Sequence, residues 1–216
     1  MKLHLNTVSN LLWVSLKTLM NTKEFETFRI VGGTSLSLQL GHRESIDIDL
    51  FTDAEYGSLD FDILETKLQE LFPYVDAATD TEVGMGKSYF IGNNPSDLVK
   101  LDLFYTDPFV FPVLIVDEVR FASIEEVAAM KLEVVASNGR KKDFWDIHEL
   151  LEKFEINTLF EYYLKRYPYS ASREDLIEKL VDFEIADDEF TPNCYKDKDW
   201  DIIKLDFIDL HASLTK

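Results

Sequence analysis

The hydrophobic pattern of this 216-residue chain changes period near residue 120, and that change constrains the fold more than any other feature. Before it, segments such as Ile46 to Phe51 and Val99 to Phe104 alternate apolar and polar residues, the period of a half-buried strand. After it, apolar residues recur at helical spacing almost to the end. The pattern predicts an α+β chain, with a mixed sheet flanked by helices over residues 1–120 and a helical lobe over residues 121–216. The length suffices for one sizeable core with a lobe appended.

Capping and breaking residues place the elements. Asn6 or Thr7 caps a helix to about Met20, Phe28 to Val31 is a short buried strand, and Gly32-Gly33 turns the chain. Thr34 to Leu40 fits a short helix ended by Gly41, and Phe61 to Leu71 fits another that stops before Pro73. Between Val75 and Thr106 lie strands separated by turns at Gly84-Met85-Gly86 and Gly92-Asn93-Asn94-Pro95. In the second half, Ser123 and Glu126 make a capping-box pattern for a helix to about Ser137, broken by Gly139. Further helices are expected over Lys142–Phe154, Thr158–Tyr167, Arg173–Phe183 and Trp200–Ser213.

Composition excludes several classes of function. Acidic residues outnumber basic ones 41 to 22, and the net charge of −19 opposes broad, nonspecific binding to phosphate backbones. The local run Arg140-Lys141-Lys142 reads either as a solvated loop or as a contact to one phosphate-rich ligand. The single cysteine, Cys194, rules out an intramolecular disulfide, and His4, His42, His148 and His211 have no zinc spacing. Asn6, Ser9, Asn10, Ser15 and Lys17 interrupt the apolar N-terminus, so neither a signal peptide nor a membrane span is expected; a compact, soluble, cytoplasmic protein with no membrane partner is.

The chemistry concentrates in Ile46-Asp47-Ile48-Asp49-Leu50, where the strand period puts both carboxylates on one face. Their β-carbons would stand about 6 to 7 Å apart, from which carboxylates can converge on Mg²⁺ ions. An ordinary strand with an acidic outer face has the same pattern. Upstream, a buried strand runs through Gly32-Gly33-Thr34-Ser35 into a helix, a geometry that aims backbone amides at an anion, although a capped strand-to-helix turn looks alike. In Val99-Lys100-Leu101-Asp102-Leu103, Lys100 and Asp102 share a face, and Asp102 can complete a carboxylate triad. Gly86-Lys87-Ser88 imitates the end of a phosphate-binding Walker loop, but Thr81 stands where that loop needs glycine, so the segment reads as a hairpin turn.

Gly32-Gly33-Thr34-Ser35-Leu36, followed by His42-Arg43-Glu44-Ser45-Ile46-Asp47-Ile48-Asp49-Leu50-Phe51, resembles the first motif of the AbiEii/AbiGii toxin family of nucleotidyltransferases, within the polymerase β-like superfamily. The resemblance continues through Lys100-Leu101-Asp102-Leu103, Met130-Lys131-Leu132-Glu133-Val134-Val135-Ala136 and Lys142-Asp143-Phe144-Trp145-Asp146-Ile147. It spans about residues 29 to 151, and departs where the family carries an arginine shortly after the lysine, since Arg140 here follows a Ser137-Asn138-Gly139 turn.

The resemblance implies a polymerase β-like nucleotidyltransferase core. It implies metal binding by Asp47 and Asp49, with Asp102 as a second-metal ligand or proton acceptor. Gly32, Gly33, Thr34 and Ser35 would hold the triphosphate, Lys131 would contact phosphate or base, and Asp143 or Asp146 would be the late acidic residue of the site. Arg43 would brace the acidic strand or a phosphate. Without the resemblance, Lys131 reads as a surface helix lysine and Asp143 with Asp146 as a first-turn acidic pair. The implied activity moves a nucleoside monophosphate from an NTP, with Mg²⁺ or Mn²⁺, to a hydroxyl of RNA, transfer RNA included, or of protein. It also implies a toxin of a toxin–antitoxin or phage-defence system with a cognate antitoxin. The competing expectation is a catalytically silent nucleotide-binding or protein-interaction module.

Overall fold

The computed structural model describes residues 2–77 and 84–216, so Thr81 of the Walker-like comparison lies outside the described residues. The chain divides into two compact units, Met1–Leu40 with Ser45–Ser123, and Gly41–Glu44 with Ile124–Lys216.

The first unit holds a seven-stranded mixed sheet and three α-helices among its described residues. In chain order these are α1 (Asn10–Met20), β1 (Arg29–Ile30), α2 (Gly32–Leu40), β2 (Asp47–Thr52), α3 (Phe61–Leu71), β3 (Tyr74–Ala77), β4 (Gly86–Asn94), β5 (Asp97–Tyr105), β6 (Leu114–Val116) and β7 (Val119–Phe121). The strand order is β3-β4-β5-β2-β1-β7-β6, with β2 parallel to β5 and β1 parallel to β7. One face is apolar because the strands alternate: Ile48 and Leu50 of β2, Leu101 and Leu103 of β5, and Tyr89 and Ile91 of β4 are fully buried. They share a core with Leu12, Leu16 and Leu19 of α1 and Leu64 and Leu68 of α3. Burying each such leucine stabilises the fold by about 1.5–3 kcal/mol, enough to lock the strand register and so to fix which residues face the other way.

Several boundaries differ from those expected. Thr7 does not cap α1, because its hydroxyl donates to the His4 carbonyl at 2.7 Å within a 3-10 turn over Leu5–Thr7. Ser9 caps instead, its Oγ accepting from the Leu12 amide at 3.0 Å. The helix expected from Thr34 begins at Gly32, and Gly41 follows it with φ +72°, the left-handed turn that stops a helix. Strand β4 runs through Gly92 to Asn94 over a bulge, so the hairpin turns two residues later than its glycine implied. Gly86-Lys87-Ser88 opens that strand instead of forming a turn, and Lys87 pairs with Glu65.

The second unit is helical: α4 (Ile124–Ala136), α5 (Lys141–Leu151), α6 (Ile156–Arg166), α7 (Arg173–Lys179), α8 (Glu184–Asp187) and α9 (Trp200–Leu214). Phe144 on α5 packs edge-on against Phe183, Trp200 and Phe207. Arg166 on α6 pairs with Glu126 on α4, both fully buried at their side chains. The helix expected to reach Phe183 stops at Lys179, and Leu180 leads through a turn into the short α8. Among the described residues no helix is long and apolar enough to cross a membrane.

Candidate active site

The sheet face opposite the core of the first unit carries the acids. Parallel pairing sets Asp47 beside Lys100 and Asp49 beside Asp102, and antiparallel pairing sets Ser88 beside Asp102. Neighbouring residues in register point to the same face, so Asp47, Asp49, Lys100, Asp102 and Ser88 form one patch across three strands. Both Asp102 oxygens are engaged, Oδ1 by the Ser88 hydroxyl at 2.6 Å and Oδ2 by the Lys100 ammonium at 2.6 Å. Beyond the acids, Phe51 and Phe104 continue the two rows with ring centroids 6.0 Å apart.

The turn into α2 is built against this patch. Gly32 has φ +66°, and a β-carbon there would stand 2.2 Å from Asp49 Oδ2. The residue must be glycine for two reasons, backbone conformation and the approach of the carboxylate. The Ser35 amide makes the first i→i−4 bond of α2, to the Val31 carbonyl at 3.3 Å. The amides of Gly33 and Thr34 precede that bond and point out of the helix N-terminus, where they favour an anion.

The hydroxyls of this turn have partners within the fold. Thr34 is fully buried, and its Oγ1 lies in hydrogen-bond range of the Asp47 carbonyl and of Ser45 Oγ. Having one proton, it donates to the carbonyl and accepts from Ser45. Ser35 is also fully buried, its Oγ accepting from Gln39 Nε2 at 3.0 Å. Both hydroxyls are buried, and Thr34 pins the first residue of β2.

A second cluster lies within the helical unit. Arg43 meets Asp146 through Nε–Oδ1 at 2.7 Å and Nη2–Oδ2 at 2.8 Å, and His42 Nε2 approaches the same Oδ1 at 2.8 Å. Lys131 reaches Asp143 Oδ1 at 2.6 Å and Asp146 Oδ2 at 2.7 Å. Asp143 Oδ2 accepts from the Arg140 amide at 3.1 Å, which caps α5. Two cations thus face two carboxylates. Lys131 is only 6% exposed, which corrects its reading as a surface helix lysine; Asp143 does stand in the first turn of α5, whereas Asp146 lies beyond that turn and is fully buried. Arg43 braces Asp146 through its guanidinium.

The charges here perturb one another. Burial works to raise the Asp146 carboxyl, but Arg43 and Lys131, with the His42 hydrogen bond, hold it well below the usual carboxylate range. Asp143 is opposed by burial in the same way and lowered by Lys131. Burial works to lower the Lys131 ammonium, and Asp143 and Asp146 raise it.

The residues singled out from sequence therefore fall into two groups. Gly32, Gly33, Thr34, Ser35, Asp47, Asp49 and Asp102 belong to the sheet unit, and Arg43, Lys131, Asp143 and Asp146 to the helical unit. Ser88, Ser45 and His42 were missed. Ser88 shares the strand alternation that marked Asp102, but its register partner is visible only once the strands pair; His42 and Ser45 stand in the motif that carries the resemblance, which gave neither a role.

The acidic patch suits a hard cation, since its carboxylate oxygens are the donors that Mg²⁺ and Mn²⁺ take. Asp47 and Asp49 offer such donors on one rigid strand. Among the described residues no three carboxylate, imidazole or thiol groups are gathered as a metal site, in keeping with the engagement of Asp102 by Lys100 and Ser88.

A family model described as the nucleotidyl transferase AbiEii toxin of a type IV toxin–antitoxin system matches residues 15–213. An uncharacterised protein of Aquifex aeolicus (strain VF5), aq_aa25, is 27% identical over 174 residues, covering 75% of this chain and 76% of its own. Among solved structures, MenT4, the nucleotidyltransferase toxin Rv2826c of Mycobacterium tuberculosis H37Rv, superposes with a TM-score of 0.62 at 13% identity, over 92% of this chain and 82% of its own. JHP933 from Helicobacter pylori gives a TM-score of 0.56 at 18% identity, over 94% and 88%. At these identities the structural likeness is one of fold.

Proposed function

Because this chain belongs to the nucleotidyl transferase AbiEii toxin family of type IV toxin–antitoxin systems, we propose that its acidic sheet face moves a nucleoside monophosphate from an NTP to a hydroxyl of RNA or protein. The observation that carries this is the register of β2 and β5, which sets Asp49 beside Asp102 with Asp47 two residues away, next to the N-terminal amides of α2.

In this reading Asp47 and Asp49 hold the divalent cation, and Asp102 joins them or takes a proton. The cation, Mg²⁺ or Mn²⁺, supplies charge neutralisation on the phosphates. The Gly33 and Thr34 amides orient the triphosphate, and Gly32 lets the Asp49 carboxylate stand against the turn. The acceptor oxygen bonds to the α-phosphorus, the bond to the β-phosphate oxygen breaks, and pyrophosphate leaves with its electron pair. The acceptor's proton passes to Asp102 where that carboxylate is not a ligand of the cation, and to solvent where it is. Positioning and electrostatics account for most of the acceleration. Arg43, Lys131, Asp143 and Asp146 act indirectly, as a neutralised buried cluster that fixes α4, α5 and Gly41–Glu44. The biological outcome would be growth arrest restrained by a cognate antitoxin.

The test is incubation with each labelled NTP, Mg²⁺ and total cellular RNA or protein. Transfer of label with release of pyrophosphate is expected; its absence with every NTP and both acceptor pools overturns the proposal.

A further inference from the structure

We infer that Lys100 is a built-in counter-ion: it holds Asp102 in the metal-free protein, yields that carboxylate when a divalent cation binds, and then turns its ammonium to the triphosphate. The inference rests on the metal-binding reading above and adds a residue to it.

Lys100 stands beside Asp47 in register, and its Nζ lies 2.6 Å from Asp102 Oδ2. It is the one lysine within β2 and β5, and it stands on the same face as Asp47, Asp49 and Asp102. With Ser88 on the other oxygen, Asp102 is withheld from the donor set that Asp47 and Asp49 begin. A cation that takes Asp102 must therefore displace Lys100.

The contrast with Lys131 shows that this displacement is accessible. The side chain of Lys131 is 8% exposed and gripped by two buried carboxylates. That of Lys100 is 38% exposed, and its one partner is 17% exposed. A solvent-accessible, single-partner ion pair stabilises little, and a lysine stem is long and flexible. A divalent ion coordinated by carboxylates outcompetes it. Once released, the ammonium remains beside Asp47, next to the place where the phosphates would lie, and can offset their charge.

The test is calorimetric titration of Mn²⁺ into the full chain, comparing wild type with Lys100→Met and, as a second neutral variant, Lys100→Gln. Circular dichroism confirms folding, and Asp47→Asn is the control for the metal site. Both neutral variants are expected to bind Mn²⁺ about three- to tenfold more tightly in the absence of nucleotide, because the competing ammonium is gone. With Mn²⁺ saturating, both should bind a nonhydrolysable NTP more weakly, and Lys100→Arg should restore that affinity. Wild-type Mn²⁺ affinity in the neutral variants overturns the role of Lys100 while leaving the metal reading intact. No Mn²⁺ binding in wild type or either variant overturns the metal reading, and this inference with it.

Discussion

Arg43 and Asp146 meet face to face through two hydrogen-bonded contacts of 2.7 and 2.8 Å, with both side chains buried. Paired planar groups of this kind are strong only while both partners are present. Asp146→Ala removes the buried carboxylate that Arg43, His42 and Lys131 share, so it should cost about 3–5 kcal/mol. Lys131→Ala should also destabilise, by leaving the buried Asp143 with Arg140 alone and Asp146 with one cation fewer, the reverse of what a surface lysine would predict. Urea denaturation of both variants is the check: midpoints should fall well below wild type with little change in slope.

The same cluster dictates a pH profile. Asp143 and Asp146 have depressed pKa values in the folded state, so the stability they confer is full above the unfolded carboxylate value of about 3.9. It is lost as pH falls from there through their folded values. Lys131 has a raised pKa, so its contribution is full below the unfolded lysine value of about 10.4 and fades above it. Stability measured by denaturant titration should therefore hold across neutral pH and drop on the acid side. Asp146→Asn should flatten the acid limb; an acid limb as steep as wild type would count against this assignment.

The acidic face was legible because a period of two is unambiguous when a strand reads Ile46-Asp47-Ile48-Asp49-Leu50, and the structure places Ile48 and Leu50 in the core. Asp102 was legible for the same reason, but its proximity to Asp49 was not, since strand pairing over some fifty residues is a tertiary fact. Thr34 shows where local reading fails. Hydroxyls after a glycine turn look like phosphate donors, and only the fold reveals that this one is spent on the Asp47 carbonyl. The burial of Lys131 was not legible, because helical periodicity gives a face and says nothing of a charged partner 12 residues later that lets a lysine be buried.

Gly32 and Thr34 yield a paired prediction about how the acids are held. Gly32→Ala forces a β-carbon to 2.2 Å from Asp49 Oδ2 on a backbone of positive φ, and should destabilise by about 1–3 kcal/mol while disturbing Asp49. Thr34→Val keeps the shape but deprives the Asp47 carbonyl and Ser45 of their partner, at about 1–3 kcal/mol. Thr34→Ser should recover most of that loss. If Thr34 instead served the triphosphate, Thr34→Val would raise the KM for NTP with unchanged thermal stability, and parallel melting curves and kinetics separate the outcomes.

Asp47→Asn and Asp49→Asn should each abolish transfer yet leave the protein as stable as wild type. Asparagine keeps the shape and the strand alternation, and both residues lie on the half-exposed face of β2, so a structural role alone would hardly register the change. The stability change should stay within about 0.5 kcal/mol, or favour the variant by relieving repulsion among neighbouring carboxylates. A metal ligand behaves differently: losing one charge from a hard-oxygen donor pair should weaken Mn²⁺ binding and cut turnover by about 10²-fold or more. Calorimetric Mn²⁺ titration, transfer of labelled NTP and thermal melts on the same preparations give three independent readings. If both variants keep near-wild-type transfer, or if both unfold, Asp47 and Asp49 are not the ligands, and the register of β2 with β5 must serve some purpose other than catalysis.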